Sequence, residues 1–466
     1  MAVDYDLVVL GGTPEGYDAA RHAARLGARV ALILQGIDGR RSPLQTLGAL
    51  CSTQLLAVDN HPSLDATQVA WQWAIQRAEL IADTLASDDA QQLMVQGVDV
   101  IAEHGQLIRD RPLHVATANR HLTTRAVLLA TGSVPYIPSI AGLSWIPYET
   151  PETVLQLETP PESVVILGSA PLGLALCQPL GRWGIPVTLI TPAAALLNRE
   201  DPDVSGWMTA QLQAEGVHLR LGETVETIAT NDDTTYALDL LDTAITTATV
   251  VVAAGYRPSL VGMNLEKFLN CDRPLTVNAY LQTQHPRIYA CGSVLGSYGM
   301  PAVACQEARI AVENALFWNR RRIDYSTLPY DLPTQPEMAR VGLTEPQARQ
   351  RYGEADLLIH RQSLYENPKA QWLESTTGFC KLIAHRNGQI LGVHGVGPGA
   401  SEWVQALALL MAQKVSWHAV AGHPLLPHSL SVILQQAAGQ WERDRWQPGQ
   451  WRRDWAENWF NWRRSR

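Results

Sequence analysis

Short apolar runs separated by glycine turns set the pattern of this chain. Leu7-Val8-Val9-Leu10 is an apolar run of strand type, and Gly11-Gly12-Thr13-Pro14-Glu15-Gly16 is a tight turn. Residues 17–26 have helical composition and end at Gly27, a good helix terminator, before a second apolar strand at residues 30–34. Such a strand–turn–helix–strand opening places a diphosphate on a helix N-terminus. The pattern then recurs. Residues 163–167 read as a strand, Gly168-Ser169-Ala170-Pro171-Leu172-Gly173 as a turn, residues 174–183 as a helix and 187–190 as a strand. Between the copies, residues 40–56 read as a loop running into a helix, 68–85 as an amphipathic helix, 98–108 as a strand, and 125–130 as a strand ending in Ala130-Thr131-Gly132-Ser133. Residues 250–254 followed by Gly255 repeat that ending, and residues 288–294 form another strand and turn. From about residue 328 the texture changes. Strands at 379–384 and 390–396 flank the turn Asn387-Gly388, and helices follow at 402–413 and 429–438.

Both glycine turns depart from G-x-G-x-x-G. In the first, Gly11 and Gly16 hold the outer places, but Thr13 stands where the middle glycine lets backbone approach the diphosphate. Glu15 adds a carboxylate beside that place, although without a phosphate it would suit the positive helix end. The acid expected to hold a ribose after the second strand is Leu34. The turn keeps the fold signal and loses much of the ligand signal. In the second copy the middle residue is Ala170, a milder change, and Thr191 stands at the ribose position.

Composition narrows the class. The 466 residues are too many for one core, and 46% hydrophobic content fits an α/β protein of several domains. A net charge of -9 gives no sign of nucleic-acid binding. No apolar run is long enough to span a membrane, and Met1 leads straight into a strand, so no signal peptide is expected. The six cysteines, Cys51, Cys177, Cys271, Cys291, Cys305 and Cys380, form no C-x-x-C pair; neither a zinc site nor a disulfide framework is indicated. A reducing, cytoplasmic setting is expected.

With these residues in order, the chain resembles the pyridine nucleotide–disulfide oxidoreductases, among them dihydrolipoamide dehydrogenase, glutathione reductase and mercuric reductase. The resemblance covers about residues 5–440. It rests on the two glycine turns, Ala130-Thr131-Gly132-Ser133, Leu196-Leu197 with Glu200-Asp201-Pro202, Gly255 with Pro258, Ile288-Tyr289-Ala290, Val341-Gly342-Leu343-Thr344 and Pro427-His428-Ser429-Leu430-Ser431. It implies an α/β fold with two Rossmann-like domains and a C-terminal α+β dimerisation domain. The expected division is an FAD-type domain at 1–150 and 271–327, an NAD(P)-type domain at 151–270, a dimerisation domain at 328–440 and a tail at 441–466. By the same resemblance the cofactor contacts would be Gly11, Gly12, Gly16, Gln35, Ala130, Thr131, Gly132, Gly168, Gly173, Gly255, Gly292 and Ser293.

The departures from the family pattern bear on chemistry. The family's redox cysteines fall at Leu44 and Ala49, and neither can accept electrons. Cys51 lies two residues on, to be read as a core cysteine or as a lone reactive thiol. The lysine that faces the flavin is Thr53 and its glutamate partner is Ala175, so both members of an ion pair are gone. The histidine–glutamate pair that protonates the thiol falls at Pro427 and Val432. His428, one residue away, is a packing histidine or a displaced base without an orienting acid, and His423 is no better supported. Ser293 replaces the aspartate on the ribitol chain. An FAD site is thus expected to be weakened at Thr13, Glu15, Leu34 and Ser293, and an NAD(P) site at Ala170, Ala175 and Thr191. No catalytic residue and no metal site is assigned. Two functions remain: a homodimer that has lost disulfide reduction and acts as a scaffold or nucleotide sensor, or a flavoprotein passing electrons from NAD(P)H to a non-disulfide acceptor.

The tail extends past the resemblance. Trp451, Trp455, Trp459 and Trp462 fall on one helix face among Arg452, Arg453, Arg463, Arg464 and Arg466. Such a face suits the chain's own dimer, a partner protein or a membrane surface.

Overall fold

The computed structural model describes residues 3–36, 64–85, 90–109, 112–232, 234–269, 275–296, 300–446, 449 and 451–466. Leu44, Ala49, Cys51 and Thr53 lie outside the described residues, as does Cys271. The chain divides into two compact units, Met1–Ala194 with Leu212–Ile323, and Ala195–Gln211 with Asp324–Arg466.

The first unit runs β1 (Tyr5–Leu10), α1 (Pro14–Arg25), β2 (Val30–Ile33), α2 (Leu64–Leu85), α3 (Ala90–Val95), β3 (Asp99–Ile101), β4 (Gln106–Arg109), β5 (Leu113–Ala116) and β6 (His121–Leu129). It continues with β7 (Val164–Leu167), α4 (Pro171–Arg182), β8 (Val187–Thr191), β9 (His218–Leu221), β10 (Val225–Thr230), β11 (Tyr236–Leu240), β12 (Ala244–Thr247), β13 (Thr249–Val252), β14 (Ile288–Ala290) and α5 (Pro301–Leu316). The first sheet has the order β3-β2-β1-β6-β5-β4, with β14 also on β6. Its β3, β2, β1, β6 and β14 are mutually parallel, and β5 and β4 form an antiparallel extension. A strand's side chains alternate between faces. Leu7 and Val9 therefore join Tyr17, Ala20 and Ala308 in one core, while Val8 and Leu10 join Val115, Met263 and Leu265 in the other. Apolar cover on both faces explains why β1 reads as an unbroken hydrophobic run. The second copy forms a parallel sheet of order β9-β8-β7-β13, and β10, β11 and β12 make an antiparallel sheet of their own.

The helices α1 and α4 begin three residues before the expected starts at 17 and 174. Each has a proline in its first turn, where the missing N–H costs nothing and the ring presets the backbone. The expected strand over 98–108 is two strands, β3 and β4, in the same sheet. Gly105, between them, passes so close to Ile33, Leu10 and Val115 that a Cβ would sit 3.0–3.2 Å from their side chains.

The second unit is β15 (Tyr330–Leu332), β16 (Met338–Gly342), α6 (Glu345–Tyr352), β17 (Leu357–Ser363), β18 (Phe379–His385), β19 (Ile390–Val396), α7 (Ala400–Ala412), α8 (Trp417–Gly422), α9 (Val432–Arg445) and α10 (Trp451–Arg464). Its sheet is antiparallel in the order β15-β16-β19-β18-β17. Trp403, Trp417, Leu382, Val393 and Ile433 fill the core between sheet and helices. No helix among the described residues is long and apolar enough to cross a membrane.

Candidate functional site

The first glycine turn lies between β1 and α1, against the ends of β6 and β14. Gly11 has φ +123°, and a Cβ there would run into the Ala130 carbonyl. The turn's backbone is already engaged: Gly11 N donates to Ile33 O at 2.8 Å and Gly12 N to Leu34 O at 3.1 Å. Thr13 is the N-cap of α1. Its hydroxyl accepts from Gly16 N at 3.3 Å and donates to Ala130 O at 2.8 Å. The side chain that stands in place of the middle glycine thus ties α1 to β6 and satisfies a donor of the helix end. The structure brings Gly11, Gly12, Gly16, Ala130, Thr131, Gly132, Gly292 and Ser293 together here. A Cβ on Gly132 would lie 3.0 Å from Thr13 Cγ2 and 3.8 Å from Ser293 Oγ. Thr131 Oγ1 is buried without a hydrogen-bond partner. Gln35 stands at the edge, its amide spent on both polar groups of Gly105, donating to the carbonyl at 2.9 Å and accepting from the N–H at 3.3 Å.

Glu15 points into this cluster. It is only 6% exposed. Its carboxyl lies against Gly292, where a Cβ would collide with Glu15 Oε1. Burial lifts its pKa from 4.5 to about 7; its own backbone N–H and the Thr13 hydroxyl pull downward, and the Glu307 carboxylate pushes upward. The single Thr13 proton is shared with the Ala130 carbonyl, which limits what it gives Glu15. Glu307, on α5 and fully buried, accepts from Gly292 N at 2.6 Å. Asp18 and Arg309 form a separate two-point pair at 2.8 and 3.0 Å. The nearby thiols of Cys291 and Cys305 are both pushed up, chiefly by burial and then by these carboxylates, Cys305 to about 12.

The second turn, between β7 and α4, is built on the same backbone plan. Gly168 has φ +102°, and Gly173 packs against Ala253 so tightly that a Cβ would overlap it. Gly255 also has positive φ, +108°. Yet the helix end differs. Ala170 is its N-cap and gives no side-chain cap. No carboxyl stands among Gly168 to Gly173, and Gly168, Ser169 and Ala170 are half-buried, whereas Gly11, Gly12 and Thr13 are buried. Thr191 bonds Ser169 Oγ at 3.1 Å and accepts from Ala193 N at 3.3 Å. Ala175 is fully buried within α4.

In the second unit, the His428 ring lies tilted by 36° against Trp372 with ring centroids 4.5 Å apart. The carbonyls of Ser429 and Leu430 accept from the Asn367 amide at 3.5 and 3.0 Å. Val432 opens α9, and His423 offers its carbonyl to Gln435 Nε2 at 2.9 Å. The tail forms α10, whose Trp455 and Trp459 rings stack with centroids 6.1 Å apart, while Trp462 lies tilted against Trp459 at 5.1 Å.

Two groups escaped sequence reasoning. Glu307 sits on α5 among Gln306, Arg309 and Glu313, far along the chain from the turn it faces. Lys381 lies in the apolar run of β18, 2% exposed, with Nζ 2.8 Å from Asp201, 3.0 Å from Asp203 and 2.6 Å from Glu345. A lysine inside such a strand demands partners, and that was the available signal.

The description "pyridine nucleotide-disulphide oxidoreductase" matches residues 5–314, and that family's dimerisation domain matches residues 329–430. The mercuric reductase of Streptomyces lividans is 30% identical over 482 residues, spanning 94% of this chain and 97% of that protein. A dihydrolipoyl dehydrogenase of Bacillus subtilis is 28% identical over 469 residues, spanning 94% and 98%. The crystal structure of LpdA from Mycobacterium tuberculosis superposes with a TM-score of 0.82 at 24% identity, covering 94% and 99% of the two chains. The match at 329–430 supports homodimer formation.

Proposed function

The chain belongs to the pyridine nucleotide-disulphide oxidoreductase family, and from that premise we propose that it is a homodimeric member without disulfide reductase chemistry, a scaffold that senses a pyridine nucleotide at its second glycine turn. The contrast between the two turns carries this reading. A glycine turn receives a diphosphate through free N–H groups and the positive end of a helix. At α1, Pro14 has no N–H and the Gly16 N–H serves Thr13. Two carboxyls, Glu15 and Glu307, converge on Gly292. As they stand, these residues do not fit the diphosphate of a flavin. The second turn has no side-chain cap and no acid, which supports nucleotide binding there.

The thiol chemistry points the same way. Leu44 and Ala49 cannot form a dithiol. Among the described residues the thiols of Cys177, Cys305 and Cys380 are each pushed up to about 12 by burial, and Cys291 is pushed up as well. The thiolate is the nucleophile, so none of these is active at neutral pH. His428 makes no hydrogen bond or ion pair among the described residues and rests on Trp372. The unpartnered Thr131 hydroxyl favours the second reading, a flavoprotein serving a non-disulfide acceptor.

Purified protein assayed with NADH or NADPH against lipoamide and oxidised glutathione should show no turnover. Tryptophan fluorescence should still report nucleotide binding, lost in Gly173→Val. A visible flavin band that bleaches on adding NADH would overturn the reading in favour of the flavoprotein.

A further inference from the structure

We infer that Glu15 is an internal stand-in for a ligand anion: its carboxyl occupies the first glycine turn, and this one residue decides whether the turn admits a dinucleotide's diphosphate. The inference rests on the proposed function above and names its cause. The turn is otherwise of receiving form. Gly11, Gly16 and Gly132 bring the backbone together, and Gly11 and Gly16 are also required by their packing on Ala130 and on each other. Backbone plan therefore does not separate this turn from the second; side chains do.

Three features assign the role to Glu15 rather than to its neighbours. First, position: Glu15 is in the first turn of α1 and its carboxyl rests on Gly292, so it bridges the helix end and the strand end that form the two walls of the cluster. Second, donors: Pro14 has no N–H and the Gly16 N–H is given to Thr13, which leaves this helix end few donors for an incoming anion. A carboxylate at a helix N-terminus satisfies the same positive end that a phosphate would. Third, charge: Glu307 already accepts from Gly292 N, and Arg309 is committed to Asp18 by two hydrogen bonds. An incoming diphosphate would meet buried acid on two sides. Thr13 differs in kind. Its hydroxyl ties the turn to Ala130 and its methyl lies beside Gly132, so it shapes the wall without adding charge.

The test uses the full-length protein, FAD as the probe and Glu15→Ala, Glu15→Gly and Thr13→Gly as variants. Folding is checked by circular dichroism and mass in solution. NADH binding, read in parallel, reports the second turn. Wild type and Thr13→Gly should take up no FAD. At pH 8, where Glu15 is ionised, Glu15→Ala and Glu15→Gly should bind it in a one-to-one ratio, tighter than wild type by on the order of a hundredfold or more, since removing a buried like charge is worth several tenfold steps. NADH affinity should be equal in all four. Folded Glu15 variants that remain colourless would overturn the inference and leave the scaffold reading standing. Uptake by Thr13→Gly alone would move the control to Thr13 and overturn it too. Wild type that binds FAD as tightly as the variants would overturn both the inference and the proposed function.

Discussion

Burial of Glu15 makes the folded chain hold a proton that the unfolded chain releases. Its pKa is 4.5 when exposed and about 7 in the fold, with desolvation as the leading cause. The folded state therefore binds more protons between these values, and stability falls as pH rises through them. The contribution is fully present below pH 4.5 and gone above about 7, and the shift corresponds to about 3 kcal/mol. Glu15→Gln should remove this slope: urea unfolding at several pH values should show its advantage over wild type growing by about 3 kcal/mol between pH 4.5 and 7.5. Parallel curves for the two proteins would refute the assignment. At this scale the sequence marks Thr13 and Glu15 as departures from the glycine pattern but not what they do. That Thr13 caps α1 follows from its φ of -82° and ψ of 164°, values that a β-branched residue accepts readily. That Glu15 meets Glu307 needs α5 folded beside α1, and no local pattern encodes it.

Individual elements show where local rules suffice. The prolines that start α1 and α4 could have been read as first-turn residues, which would have set both helix boundaries. The break between β3 and β4 depends on neighbouring strands closing over Gly105, which the alternation of 98–108 conceals. In β18 the apolar run predicts a strand correctly, and Lys381 is the exception within it. Burial works against its ammonium, but hydrogen bonds to Asp201, Glu345 and Asp203 outweigh it and raise its pKa. For Asp201 and Glu345, burial is likewise outweighed by Lys381, and both are held below the usual carboxylate range. Lys381→Met would leave the buried Asp201 without its cation, while Glu345 would keep only Arg349. It should cost roughly 3 kcal/mol or more of stability, measured as a fall in the midpoint of denaturant unfolding. A loss below about 1 kcal/mol would mean that water reaches the cluster. The same strand pair carries His394, fully buried and neutral, its pKa lowered to about 4 by desolvation. Its contribution is present above 6.5 and lost as pH falls toward 4, opposite in sign to that of Glu15.

For the whole molecule, family order was legible because glycine motifs recur after the strands of two parallel sheets, while everything that depends on a second copy was not. Helix α10 has no buried residue in its own chain, and Trp451, Trp455, Trp459 and Trp462 are 44–71% exposed. A contiguous aromatic face of this kind is covered in use. With a dimerisation domain at 329–430 in the same chain, cover by the second copy is the expected arrangement. Deleting residues 451–466 should then shift sedimentation toward monomer at micromolar concentration; an unchanged dimer with full solubility would assign the face to something else. The first glycine turn has a further consequence. On the proposed reading, entry to the turn is set by Glu15, whereas the positions that depart from the family's redox pattern, Leu44, Ala49, Pro427 and Val432, are spread over distant parts of the sequence. On the two proposals together, colour and catalysis are separable in this chain. A variant opened at Glu15 would be a yellow protein that still does nothing to a disulfide, and so a dye-like readout of the turn alone.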